Sequence, residues 1–142
     1  MKSRIIVILV GVFIVSGCAT IRSLAVGTPY QPYNSVTGGY SETKLAPDVV
    51  RVVLRGNSST SKERAQDIAL LRAAELSLLA GFPYFTVLTE ENETKQDTSD
   101  DLTIYMPKSE ILVQFLKEKH PGILVFDAEY LDRTLKEKYK VE

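Results

Sequence analysis

The chain of 142 residues has one cysteine, Cys18, and one histidine, His120. A single cysteine excludes an internal disulfide, so stability must come from burial and hydrogen bonding. A lone histidine needs an orienting carboxylate and a nearby nucleophile to act as a base. Asp127 and several serines exist, but no nucleophile-elbow spacing joins them to His120, which reads as a solvated turn residue before Pro121. Excess positive charge is also missing, since 17 Lys and Arg stand against 18 Asp and Glu for a formal −1. That −1 includes Lys2 and Arg4, and removing those two charges leaves −3, which argues against a nucleic-acid partner. No apolar run is plainly long enough to cross a bilayer. A spanning helix needs about 20 apolar residues, and residues 5–15 supply about half that before Ser16 and Gly17 intervene.

What the N-terminal stretch does have is order. Lys2 and Arg4, an apolar run, and then the small residues Ser16 and Gly17 before Cys18 follow the grammar of a secretory signal. Val15-Ser16-Gly17-Cys18 resembles the lipobox of bacterial lipoproteins. A thiol accepts diacylglycerol as a thioether, small residues admit the chain to a narrow protease site, and cleavage between Gly17 and Cys18 frees an amine for acylation. Two or three acyl chains then anchor durably, each buried methylene contributing on the order of 0.8 kcal/mol. The alternative is a single membrane anchor, because the uncharged window continues to Ile21. Ala19, which is not aspartate, predicts transfer of the lipoprotein to the outer membrane, with the domain facing the periplasm.

The remainder divides into a Pro/Gly-rich tether over residues 18–39 and a single α+β domain over 40–142, after a signal peptide of residues 1–17. The tether is expected to end by lying on the domain, with Tyr30, Tyr33 and Tyr40 packing against its flank. The β-branched run of residues 49–54 predicts a strand, closed by Gly56-Asn57. Thr60 with Glu63 predicts a capping box opening a helix over residues 61–80, whose apolar spacing buries Ile68 and Leu76. Gly81 suits the helix end and Pro83 stops it. Residues 84–89 read as a second strand, forming a strand-helix-strand unit. The acid-rich residues 90–101 read as a solvated loop. Residues 109–116 make a third strand, 123–126 a fourth, and Asp127 caps a final helix over 128–140. The expected fold is thus α+β: a small mixed sheet of three to five strands, a main helix and a C-terminal helix.

The order Gly39-Tyr40-Ser41-Glu42, Arg55-Gly56-Asn57, Arg72-Ala73-Ala74-Glu75-Leu76, Gly81-Phe82-Pro83-Tyr84-Phe85 and Phe126-Asp127-Ala128 resembles a family of small proteobacterial lipoproteins. The likeness spans most of the chain after Cys18 and is weakest at the acidic stretch, which replaces a longer Ser/Thr/Gly-rich insertion. It implies envelope localisation and an α+β domain, and implies no activity.

Three further features are candidates for chemistry. Asp97, Asp100 and Asp101 offer oxygens of the kind calcium takes, but without EF-hand spacing or its glycine they read as self-repelling loop acids. Gly56-Asn57-Ser58-Ser59-Thr60 precedes a helix N-terminus that can hold an anion, with Lys62 as a faint support, though capping accounts for these residues. Glu75 is either a catalytic carboxylate or a partner of Arg72 or Arg51, and pairing is the commoner role. The expectation is therefore a lipid-anchored envelope protein, without catalytic residues, cofactor or metal, whose domain binds an envelope protein or polymer in assembly or stress sensing. The competing expectations are a carboxylate-dependent envelope hydrolase, which needs two acids converging in one cleft, and a purely structural lipoprotein.

Overall fold

The computed structural model describes residues 27–142. Gly17, Cys18 and the apolar run before them lie outside the described residues.

The chain folds as an α+β domain in two layers, one antiparallel sheet and two helices. β1 (Gly39–Ala46) and β2 (Val49–Arg55) form a hairpin through the two-residue turn Pro47-Asp48, Ala46 facing Val49. α1 (Lys62–Leu79) leads to β3 (Tyr84–Ser99), which turns back into β4 (Leu102–Leu116). β5 (Phe126–Asp127) is a two-residue edge, and α2 (Ala128–Tyr139) ends the fold. The strand order is β1-β2-β4-β3-β5. Strands β2 and β3 run in the same direction, as the strand-helix-strand reading requires, but β4 lies between them and pairs antiparallel with both. The sheet is accordingly antiparallel throughout rather than mixed.

Residues of alternating register supply the core: Val50, Val52 and Leu54 from β2, Ile111, Val113 and Phe115 from β4, and Phe85 from β3. α1 covers this face, with Ile68 fully buried and Ala65, Ala69 and Ala73 letting the helix axis come close to the sheet. Its other side meets α2. That two-sided burial explains why α1 carries apolar residues around much of its circumference rather than along one stripe. Leu76 is only partly buried at the margin of the core, so the expectation for it holds less fully than that for Ile68.

The helix ends follow local chemistry. Ser61, not Thr60, is the N-cap of α1, its Oγ accepting from Arg64 N at 3.1 Å. At the C-terminus, Gly81 has φ +80°, its N–H donates to Leu78 O and the N–H of Phe82 donates to Ser77 O, the two bonds of a Schellman motif. Asp127 caps α2 as expected, accepting from Tyr130 N at 2.9 Å.

The largest departure concerns residues 90–101. They are not a loop: Thr89 through Ser99 pair in register with Leu112 through Leu102, and the only turn is Asp100-Asp101, both at positive φ. These residues form a two-stranded ribbon that runs past the end of β2, which stops where Arg55 faces Lys108. Exposure on both faces explains the misreading, because a ribbon wet on both sides needs no alternation of apolar residues and is free to be acidic. The expected fourth strand over residues 123–126 is likewise reduced to Phe126 and Asp127.

Candidate functional site

Residues 27–38, which precede β1, are built into the fold. Thr28 is completely buried, its N–H donating to Thr60 Oγ1 at 2.7 Å and its own Oγ1 lying 2.7 Å from the same oxygen. Thr60 Oγ1 donates to Asn57 Oδ1 at 2.8 Å, so its one proton is committed and Thr28 must be the donor in the hydroxyl pair. Asn57 N completes the ring by donating to Thr28 Oγ1 at 2.8 Å. Arg64 Nε donates to Thr28 O at 3.0 Å. Thus the stretch from Gly56 to Thr60 that was weighed as an anion cradle grips the N-terminal segment instead.

Tyr30 makes a second fastening. Its hydroxyl donates to Glu75 Oε2, its ring lies 4.9 Å from that of Tyr40, and Arg72 sits over Tyr40 at 4.6 Å. Arg72 forks onto Glu42 at 2.7 and 3.1 Å and reaches Glu75 at 3.0 Å. Lys136 from α2 bridges Glu75 and Asp132, at 3.0 Å from each. Burial on its own would raise the Glu75 carboxyl, but hydrogen bonds from Tyr30, Lys136 and Arg72 outweigh it and hold the group below its ordinary value. Burial, then the bond to Glu75, pushes the Tyr30 phenol far up.

Glu75 and Asp132 do line one depression, with Leu78, Leu79 and Lys136 between α1 and α2. Two acids therefore meet, as a hydrolase requires, but a general acid needs a raised pKa and Glu75 has the opposite. Chemically this cluster is a set of neutralised charges joining the N-terminal segment, α1 and α2.

A different place offers unspent binding capacity. The loop from Gln31 to Gly38 is held by Tyr33 N to Tyr40 O at 2.8 Å, Gly38 N to Asn34 O at 2.8 Å and an Asx turn from Val36 N to Asn34 Oδ1 at 2.8 Å. Gly38 has φ +82° and lies so close to β2 that an added Cβ would stand 2.3 Å from Arg55 O. This rigid loop forms one wall of a groove of about 370 Å³, and the root of the ribbon forms the other. Arg55, Lys95 and Lys108 line it together with Tyr33, Val36 and Ile104. Val36 is 82% exposed. The Arg55 guanidinium lies 5.4 Å from the Tyr33 ring centre, which orients a planar fork of donors. Lys108 is satisfied by Glu110 at 3.0 Å and Glu93 at 3.7 Å, and the Glu110 bond, ahead of other causes, raises its pKa. Arg55 and Lys95 form no ion pair among the described residues.

The remaining sequence candidates lie apart. His120 is exposed in the segment between β4 and β5. Asp100 and Asp101 form the ribbon tip and Asp97 faces Ile104 farther down it, and no group of three His, Cys, Asp or Glu side chains among the described residues is placed to hold a metal ion. Lys62 is the first residue of α1 and does not line the groove. Gly17 and Cys18 lie outside the described residues, among which no helix is long and apolar enough to cross a membrane. Sequence reasoning missed the groove, although the alternation of Leu102, Ile104 and Met106 carried a strand signal.

The chain has no match among protein-family models, curated proteins or solved structures.

Proposed function

We propose that the chain is a lipid-anchored envelope lipoprotein, of the kind its sequence resembles, whose α+β domain is a binding module rather than an enzyme. Cys18 is the lipid attachment point, Gly17-Cys18 the cleavage site, and the outer membrane, on its periplasmic side, the location. The observation that carries the binding reading is the groove: Arg55 and Lys95 without acidic partners beside the exposed Val36 and Ile104. Cations of this kind, set in a fixed wall and bordered by apolar surface, suit an anionic group on an apolar body. The charged cluster around Glu75 supports the non-catalytic reading, since each of its groups is already neutralised by a neighbour.

In-cell photo-crosslinking tests this. A crosslinker at Val36 or Ile104 should capture a defined species, whereas one at Thr43 on the far strand β1 should not. Capture that is equal at all three positions, or absent at Val36 and Ile104, overturns the assignment of the groove.

A further inference from the structure

We infer that two copies of this chain pair through their ribbons, antiparallel, the acidic tip of each lying in the cationic groove at the root of the other. The inference rests on the groove being the binding surface, and it names the occupant.

Register places the charges. Arg55 faces Lys108 directly across β2 and β4, and Lys95 stands two residues beyond Glu93, the residue that faces Lys108. Like charges facing each other across strands destabilise a sheet unless neutralised. Glu93 and Glu110 neutralise Lys108, leaving Arg55 and Lys95 in want of an anion. The opposite imbalance lies at the other end of the same ribbon. Asp100 and Asp101, the turn at its tip, form no ion pair among the described residues, and beside them Leu102, on the same face as Ile104 and Met106, is 62% exposed.

Length and symmetry then favour a second copy over any other occupant. Beyond Arg55 the ribbon continues for six residues in each strand, roughly 20 Å, with no third strand beside it. A bare two-stranded ribbon is marginally stable in water, and a facing ribbon would cover its apolar side chains. Because Arg55 and Lys95 stand toward the root and the Asp100-Asp101 turn at the tip of one element, a twofold axis across two antiparallel ribbons brings tip to root twice and closes the assembly. An acidic peptide or an anionic lipid meets the groove but leaves the tip acids and Leu102 uncovered.

The test is sedimentation velocity of the purified full chain in detergent micelles, with charge reversal on either side. The wild type should be a dimer that weakens as salt is added. Arg55→Glu with Lys95→Glu, and separately Asp100→Lys with Asp101→Asn, should each raise the dimer dissociation constant about tenfold or more. An equimolar mixture of the two variants should recover dimer, since each then offers the complement of the other. Unchanged thermal melts establish folding, and Lys95→Gln on the groove side and Asp100→Asn on the tip side serve as milder substitutes if a reversal unfolds the chain. A monomeric wild type, a dimer indifferent to both reversals, or a mixture that stays monomeric overturns the pairing. A monomeric wild type whose Val36 crosslinks to an acidic peptide or an anionic lipid overturns the pairing alone; one whose Val36 crosslinks to nothing overturns the groove as well.

Discussion

At the scale of single residues, Arg72 is the point where most of the charged cluster meets. It contacts Glu42 through two nitrogens, Glu75 through a third, and the face of Tyr40. Arg72→Ala should lower unfolding stability by about 2 to 3 kcal/mol in a denaturant titration, the range for lost hydrogen bonds to charged groups. Arg72→Lys should recover only part of this, because an ammonium cannot reproduce the fork on Glu42. Titration gives a second expectation. The lowered carboxyl of Glu75 contributes stability that is complete above its ordinary value of 4.5 and is lost as pH falls through the lower folded value. The raised phenol of Tyr30 contributes stability that is complete below its ordinary value of 10.0 and is lost as pH rises beyond it. Stability measured across pH should therefore fall less steeply toward acid in Glu75→Gln and less steeply toward alkali in Tyr30→Phe. Wild-type slopes in both variants would show that the cluster does not set the pH dependence. Part of this was readable beforehand: Glu75 lies three residues after Arg72, which puts the two on one helical face. Tyr30, Glu42 and Lys136 arrive from other elements, and no local spacing announces them.

At the scale of elements, legibility followed burial. The β-branched run of β2 and the spacing in α1 exist because one face must be apolar, and the reading of both held to within a residue or two. Ile68→Ala, at a site with no exposure, should cost about 2 to 5 kcal/mol, and Leu76→Ala clearly less, because Leu76 is only partly buried. Equal losses at the two positions would mean that the helix is rotated relative to this packing. Gly81→Val should cost about 1 to 2 kcal/mol through backbone strain alone, since its φ is +80° and the space around it is open. The first strand of the ribbon, residues 90–99, was illegible for the complementary reason. Water on both faces removes the apolar alternation by which strands are recognised, and six acids over residues 90–101 then look like a loop. The groove was hidden by topology: Arg55, Lys95 and Lys108 are ordinary surface cations until β4 is inserted between β2 and β3.

At the scale of the whole molecule, the proposed anchor at Cys18 lies close in sequence to the first described residue, Gly27. Thr28 is buried, so the fold takes in residues before Tyr40, and eight residues lie between Cys18 and Gly27. At no more than about 3.6 Å per residue, a lipid on Cys18 would hold the domain within about 30 Å of the bilayer. The domain's own stability owes nothing to the lipid on this account, because its N-terminal fastenings at Thr28 and Tyr30 lie after that stretch. Cys18→Ser should therefore abolish labelling by palmitate and leave an uncleaved or soluble product, while its folded part melts at the wild-type temperature. Truncation to residues 40–142 should instead lower the melting temperature, because it removes both fastenings. Ala19→Asp should leave lipid labelling intact and move the labelled protein toward inner-membrane fractions. Palmitate uptake by Cys18→Ser refutes the attachment site, wild type in the inner membrane refutes the sorting assignment, and a 40–142 fragment as stable as the full chain refutes the fastening role of Thr28 and Tyr30.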